Sequence, residues 1–288
     1  VPLIIEAMYR RIMNNIKKAG KEETLKRLMK VNDRTKKLGI NVLGPFSKEI
    51  QKGLGGRFRL FISGGAALRP EISEFFNDMK IMTVQGYGLT ECSPMVSLNP
   101  DSFKLLRPAS AGHVFPCEEC KIIDQDENGI GEICFKGRNV MMGYYRNPEA
   151  TKEVLIDGWY HTGDLGYLDK DNFVYITGRK KNVIITDNGQ NVFPEELEFE
   201  IDKIPYVAES MAWGDEEGVN STSIVATIYP DAGAVKEKLG ENYTDEDVQK
   251  LLWEEVDKIN STLPFFKKIK KIVVRKEDFQ KTTAHKIK

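Results

Sequence analysis

Two short stretches of the chain combine side chains that could bind a nucleotide. The first, QGYGLTE at 85–91, places a tyrosine ring, a threonine hydroxyl and a carboxylate beside two glycines. Glycine lets backbone approach a flat ligand, an aromatic ring offers a stacking face, and a carboxylate holds Mg²⁺ through oxygen. Tyr87, Thr90 and Glu91 are therefore candidates for contacts with a flat ligand, a polar group and a metal ion.

The second stretch, 157–198, contains an acidic turn, a pair of strands and a basic junction. Asp164 stands between Gly163 and Gly166, which predicts a tight loop. Its carboxylate can accept hydrogen bonds from both hydroxyls of a ribose. An Asp-Asn turn then predicts a hairpin that brings Arg179, with its planar fork of donors, to the same end. Taken singly, such residues are more often turn or surface residues, and only their joint spacing favours a site.

Both stretches resemble the signatures of the acyl-adenylate-forming (AMP-binding) ligases. The GWYHTGD turn, the RKK junction and the GQNVFPEELE element resemble in particular the long-chain fatty acid–CoA ligases. The resemblance implies that Tyr87 packs on adenine, Thr90 touches the α-phosphate and Glu91 ligates Mg²⁺. It also implies that Asp164 and Arg179 hold the AMP ribose.

The same resemblance assigns further roles along the chain. Lys181 falls at the family's hinge between a large and a small domain, and rotation about it would bring Gly189 to the CoA channel. The segment SGGAAL at 63–68 would lie along the other side of adenine and at the entrance of the acyl pocket. The remaining residues implied in nucleotide binding are Gly65, Ala66, Gln85, Gly86 and Gly88.

The last ten residues, FQKTTAHKIK, resemble the PKTxxGKI ending of the family. The resemblance makes Lys286 the catalytic lysine, whose ammonium group stabilises charge in the adenylation step. Gln280 replaces the usual proline and His285 the usual glycine, so the positioning of the lysine stays open. Without the upstream motifs, a lysine this close to a chain end is typical of a solvated tail.

Composition excludes several other classes of protein. The 288 residues are 41% hydrophobic and 30% charged, with a net charge of -1, so no bulk basic field favours nucleic acid. No apolar run approaches the roughly 18 residues of a membrane span, and the start does not have the pattern of a signal peptide. Four cysteines fit a reducing cytoplasm better than a disulfide framework. Peripheral membrane contact and oligomeric state stay open.

Periodicity predicts a mixed architecture, α/β followed by α+β. Ile4, Met8, Ile12 and Ile16 recur every four residues, which predicts an amphipathic helix packed on a core. A strand, a helix and a strand over 59–91 predict a parallel crossover with ligands at the strand ends.

We therefore expect a parallel α/β portion followed by a small β-barrel-like subdomain, together forming the carboxyl-terminal part of a large adenylating domain. A small mobile α+β domain would follow it. The expected boundaries are 1–105 and 106–180 for the two portions of the large domain, and 181–288 for the small domain.

The implied reaction uses ATP, Mg²⁺, a fatty acid and CoA, and releases AMP and pyrophosphate. The Ser/Thr/Gly-rich loop that cradles the β- and γ-phosphates in the family has no counterpart in this sequence. We expect that loop upstream of Val1, and the chain alone to be a nearly inactive carboxyl-terminal half. Alternatives are an aryl-CoA ligase, a ligase that acylates a carrier protein, or a non-catalytic nucleotide-binding module. Nucleic-acid binding through the basic run at 267–271 is the weakest alternative.

Overall fold

The computed structural model describes residues 2–216 and 222–281, without the side chains of Leu3 and Glu216. The chain forms two compact units. The first contains the residues up to Thr162 together with Gly166–Ile176, and the second contains Gly163–Leu165 and the chain from Thr177 onward. The continuous part of the second unit thus begins at Thr177, four residues before the boundary expected at 181. The unit includes both Arg179 and Asp164.

The helices of the first unit are amphipathic. In α1, Ile16 is buried and Met8 and Ile12 pack against the same core, as predicted, but Ile4 does not. In α1, Ile5 is 3% exposed and Ile4 is 60% exposed, so the prediction that Ile4 packs on the core was wrong. A helix turns once every 3.6 residues, so a strict four-residue spacing drifts by about 40° per repeat. The helices are α1 (Pro2–Lys18), α2 (Glu22–Thr35), α3 (Gly44–Gly53), α4 (Pro70–Asp78) and α5 (Pro148–Val154).

The first sheet has the order β1-β2-β3-β4. Its strands are β1 (Leu60–Ser63), β2 (Met82–Tyr87), β3 (Ser97–Leu98) and β4 (His113–Val114). Strands β1 and β2 are parallel, with Ser63 opposite Gln85, and α4 connects them as predicted. The remaining pairs are antiparallel, so the parallel character is confined to one strand pair in this sheet. Apolar residues of α1 to α4 form a core beside it that includes Leu25, Ile72, Phe75, Phe76 and Met79.

A second sheet contains five strands, in the order β5-β6-β8-β7 with β9 paired to β8. They are β5 (Glu118–Ile123), β6 (Gly131–Gly137), β7 (Leu155–Ile156), β8 (Trp159–Leu168) and β9 (Val174–Arg179). Pairs β5/β6 and β7/β8 are antiparallel. Asp169 closes the β8–β9 turn, because its carboxylate accepts hydrogen bonds from the backbone N–H groups of Asp171 and Phe173. Asn172 takes the left-handed conformation there, with φ 59°.

The second unit has its own core, built on a three-stranded sheet of order β12-β13-β14. Strands β12 and β13 are antiparallel, and β13 and β14 are parallel. A capping box between Thr244 and Asp247 starts the longest helix, α8. The elements are β10 (Ile184–Ile185), β11 (Asn191–Val192), α6 (Pro194–Ile201), β12 (Val207–Glu216), β13 (Thr222–Pro230), α7 (Ala232–Leu239), α8 (Asp245–Thr262) and β14 (Lys271–Val274).

The mixed α/β class predicted from periodicity is therefore confirmed. The mobility expected of the small domain stays a prediction. Within the described ranges, no helix has the length and apolar character needed to cross a bilayer.

Candidate active site

The loops after β1 and β2 start side by side, because the parallel register places Ser63 opposite Gln85. Ser63 is buried, and the loop that follows it exposes Gly65 and Ala66. Gly65 has φ 87°, a conformation that favours glycine. The two predicted nucleotide-binding segments of the first unit therefore leave the sheet at the same edge.

Gln85 ties β2 to the loop after β1 through its side chain. Its Oε1 accepts a hydrogen bond from the backbone N–H of Leu68 across 2.8 Å, and its Nε2 donates to the carbonyl oxygen of Pro108. Gln85 is 7% exposed. Since both polar ends of this buried amide are engaged by protein groups, the side chain fixes the Gly65 loop. The predicted nucleotide contact of Gln85 stays a prediction.

Gly86 and Gly88 are needed for internal packing. A Cβ on Gly88 would overlap the carbonyl oxygen of Pro94, and a Cβ on Gly86 would overlap the side chains of Met95 and Leu98. The sequence argument held that these glycines open the backbone to a flat ligand. In the structure, residues 94–98, which follow β2 in the chain, fill the space beside both glycines. Close packing against these residues therefore explains Gly86 and Gly88.

The ring of Tyr87 lies mostly inside the first unit. The residue is 8% exposed, and its ring centroid lies 5.9 Å from that of Phe135. It belongs to a core that also contains Cys92, Val96 and Tyr160. Only a small part of the tyrosine therefore faces outward, and stacking on adenine stays a prediction.

Thr90 and Glu91 form a short 3-10 turn, Thr90–Cys92, directly after β2. Thr90 is exposed and Glu91 is half-buried. The hydroxyl of Tyr144 donates a hydrogen bond to Oε1 of Glu91 across 2.9 Å. In the described part of the chain, no protein group donates a hydrogen bond to Oε2 of Glu91. This oxygen is therefore available to bind a cation.

Sequence reasoning did not identify Tyr144, which lies in the segment MMGYY at 141–145. Its hydroxyl donates to Oε1 of Glu91 and lies near the buried Tyr160. Burial raises the pKa of the Tyr144 phenol, and the hydrogen bond to Glu91 raises it further. Tyr144 and Glu91 are 53 residues apart in the chain. Such a long-range contact has no local signal in the sequence.

The residues around Glu91 fit a magnesium–nucleotide complex. Among the residues that the structure describes, no cluster of three or more His, Cys, Asp or Glu side chains could hold a metal ion. Mg²⁺ is commonly bound by one or two carboxylates together with substrate phosphates and water. A single carboxylate with one unengaged oxygen matches that pattern.

Asp164 and Arg179 are brought together in the second unit. Nε of Arg179 lies 2.9 Å from Oδ1 of Asp164, whose side chain is 6% exposed, whereas the arginine side chain is 58% exposed. The loop expected at Asp164 was wrong, because the residue lies within β8. A Cβ at position 166 would overlap the carbonyl oxygen of Tyr175 on β9. Gly166 therefore allows β8 and β9 to pair closely. Gly163 has φ 70° and locally bends the strand.

The predicted hinge and hairpin residues lie in the second unit. Lys181 is exposed in a 3-10 turn, Lys180–Asn182. Asn182 donates a hydrogen bond from Nδ2 to Oε1 of Glu195. Gly189 is exposed, has φ 71° and closes the predicted hairpin between β10 and β11.

Lys286 and His285 lie outside the described residues, and Gln280 is exposed. The structure thus brings together Asp164 with Arg179 and, in the first unit, the loop at Gly65 with the start of the 85–91 segment.

Two family models match the chain. The model of the AMP-binding enzyme matches residues 5–145, and the model of the AMP-binding enzyme C-terminal domain matches residues 181–288. A long-chain-fatty-acid–CoA ligase of Mycobacterium bovis is 32% identical over 246 residues, which are 82% of this chain and 40% of that protein. A long-chain-fatty-acid–CoA ligase of Rattus norvegicus is 41% identical over 158 residues, which are 54% of this chain and 23% of that protein.

The fold agrees with these matches. The crystal structure of ATP-bound MatB from Rhodopseudomonas palustris has a TM-score of 0.65 and 32% sequence identity, and the match covers 83% of this chain and 45% of that chain. The chain spans less than half the length of these three proteins. Two family models and a shared fold lead to one conclusion: the chain belongs to the AMP-binding enzymes, the acyl-adenylate-forming ligases.

Proposed function

We propose that the protein containing this chain activates a long-chain fatty acid as its acyl-adenylate and then transfers the acyl group to CoA. The observation that carries the proposal is the ion pair between Asp164 and Arg179, in a chain of this family. A carboxylate that could accept from ribose hydroxyls and a guanidinium that could donate to ribose or phosphate oxygens lie 2.9 Å apart. The relatives named above as long-chain-fatty-acid–CoA ligases support the choice of acid.

In the first half-reaction the carboxylate of the acid attacks the α-phosphorus of ATP. The new bond joins the acyl oxygen to phosphorus, and the bond to the β-phosphate oxygen breaks, so that pyrophosphate leaves. Bound Mg²⁺ would neutralise charge on the phosphates. Glu91 would hold that ion through its unengaged oxygen, the exposed hydroxyl of Thr90 would contact the α-phosphate, and Lys286 would stabilise the developing charge.

The nucleotide would be held by groups from both parts of the sequence. The backbone at Gly65 and Ala66 would lie along adenine, with the outward edge of Tyr87 on its other side. Asp164 would accept hydrogen bonds from the ribose hydroxyls, and the exposed guanidinium of Arg179 would donate to ribose or phosphate oxygens.

In the second half-reaction the CoA thiol attacks the acyl carbonyl, loses its proton and releases AMP. Lys286 has no role in that step. Rotation of the small domain about Lys181 would remove the lysine and bring the exposed hairpin at Gly189 to the thiol.

Pyrophosphate release by the complete gene product tests the proposal. The assay uses ATP, Mg²⁺ and acids from acetate through palmitate to benzoate, with and without CoA. We expect release to peak with a long-chain acid and thioester to form only with CoA. A peak with benzoate would favour an aryl-CoA ligase. A parallel assay with a carrier protein in place of CoA tests the carrier-acylating alternative, which thioester formation there would favour.

A matched pair of variants links the activity to the site. Glu91→Gln should lower pyrophosphate release by about two orders of magnitude, because the metal–phosphate contact is lost. Glu119→Gln changes an exposed carboxylate on β5 and should leave release unchanged. Absence of release with every acid, alongside measurable AMP binding, would refute the enzymatic proposal and indicate a nucleotide-binding module.

A further inference from the structure

The segment 141–144 holds Glu91 at two points. The backbone N–H of Met141 donates to the carbonyl oxygen of Glu91 across 2.7 Å, and the hydroxyl of Tyr144 donates to its Oε1 across 2.9 Å. One contact fixes the backbone and the other fixes the carboxylate. The orientation of the carboxylate is therefore determined by this segment.

The segment is itself anchored to α5. The backbone N–H of Tyr144 donates to Oγ1 of Thr151 across 2.9 Å, and that hydroxyl donates to the carbonyl oxygen of Asn147 across 2.8 Å. Gly143 has φ 148°, and a Cβ there would lie 2.8 Å from Cγ2 of Thr151. The glycine therefore allows the close approach that holds Tyr144 in place.

The hydroxyl proton of Tyr144 is directed at Glu91, because this hydroxyl donates to Oε1. Tyr160, which is 3% exposed, lies near Tyr144. Among the described residues, no protein group donates a hydrogen bond to Oε2 of Glu91.

We propose that Tyr144 is a positioning residue that fixes the Glu91 carboxylate through Oε1, so that Oε2 binds the divalent cation of a metal–nucleotide complex. The inference rests on the proposed function. A carboxylate with one oxygen engaged by a phenol presents its other oxygen to a cation, and monodentate binding suits the strict octahedral geometry of Mg²⁺. Groups that orient a metal ligand typically change metal affinity by about 10-fold to 100-fold when they are removed.

The test measures metal binding directly, using the complete gene product. Mn²⁺ replaces Mg²⁺ as the probe, and its dissociation constant in the presence of ATP is measured by electron paramagnetic resonance. Tyr144→Phe removes only the hydroxyl. Tyr145→Phe is the matched control, because this neighbour is 85% exposed. Tyr160→Phe removes a buried neighbouring hydroxyl, and thermal unfolding checks that each variant is folded.

We expect Tyr144→Phe to weaken Mn²⁺ binding about 10-fold, Tyr160→Phe to weaken it less, and Tyr145→Phe to leave it unchanged. The Mg²⁺ concentration for half-maximal pyrophosphate release should rise in the same order. If Tyr144→Phe binds Mn²⁺ like the wild type while Glu91→Gln binds it poorly, the positioning role is wrong and the proposed function stands. If Glu91→Gln also binds Mn²⁺ normally, Glu91 is not a ligand and the inference fails, whereas pyrophosphate release decides the function separately.

Discussion

Asn182 donates a hydrogen bond from Nδ2 to Oε1 of Glu195 across 2.8 Å, and so ties the residue after Lys181 to the first turn of α6. Such a bond contributes about 1 kcal/mol. Asn182→Ala should therefore raise amide hydrogen exchange at residues 180–183 by about 5-fold. Asn188→Ala, in the exposed hairpin turn, is the control. Unchanged exchange at 180–183 would mean that other contacts hold this turn.

Arg179 is the more exposed partner of the ion pair with Asp164, so in the proposed site it would be the first of the two to contact a ribose or phosphate. Arg179→Lys keeps the charge but loses the planar fork. We expect the dissociation constant for AMP, measured by calorimetry, to rise about 10-fold. Arg275→Lys is the control, because Arg275 donates to backbone carbonyls of Glu277 and Asp278. Equal affinities of wild type and Arg179→Lys would contradict the assignment.

Gly88 packs against the backbone of Pro94 so closely that any Cβ overlaps the carbonyl oxygen. Gly88→Ala should lower the free energy of unfolding by about 3 kcal/mol, because backbone must move. Gly53→Ala is a matched control at the end of α3, where a Cβ meets no atom within 4 Å. That change should be neutral or stabilise by up to about 1 kcal/mol. Urea denaturation of both variants measures the difference, and equal midpoints would refute the packing argument.

Glu198 makes the stability of the second unit depend on pH. Burial raises the pKa of its carboxyl to about 7 from 4.5, although its Oε1 accepts a hydrogen bond from the backbone N–H of Ala212 across 2.9 Å. The folded state therefore binds the proton more tightly than the unfolded state. This contribution is fully present below pH 4.5 and is lost as pH rises to about 7, by about 3 kcal/mol in total.

Glu198→Gln keeps an acceptor for Ala212 and removes the titration. We expect the difference in unfolding free energy between variant and wild type to shift in favour of the variant from pH 4.5 to pH 7. Glu254→Gln, an exposed change on α8, should show no such trend. Urea denaturation at several pH values measures this difference. If the unfolding free energies of wild type and Glu198→Gln change with pH in parallel, the titration of Glu198 does not contribute to stability.

Lys286 is predicted from the sequence alone to act in adenylation. Lys286→Ala in the complete gene product should slow pyrophosphate release by about two to three orders of magnitude, since a preorganised donor at the developing charge is lost. Thioester formation from supplied acyl-adenylate should be unaffected. Equal losses in the two assays would contradict the assignment.

Local features of the structure were predictable from the sequence. The strand–helix–strand order follows from an apolar run, a glycine turn and Pro70 at the first helical position of α4. The β10–β11 hairpin follows from the turn that contains Gly189. In each case the determining residues are neighbours in the chain.

Features set by distant residues were not predictable. Asp164 looked like a turn residue because two glycines flank it, but Gly166 serves the close pairing with Tyr175 on β9. Ile5 is buried where Ile4 was predicted to be, because the rotation of α1 about its axis depends on the core that it packs against. Such contacts join residues whose proximity only the folded chain creates.

The four cysteines differ in how they would react with thiol reagents. Cys92 and Cys134 are buried, and burial raises the pKa of Cys120 to about 12, so this thiol stays protonated at neutral pH. Cys117 is exposed. Within this chain, a maleimide fluorophore should therefore attach selectively at Cys117, which provides a labelling position for following ligand binding by fluorescence.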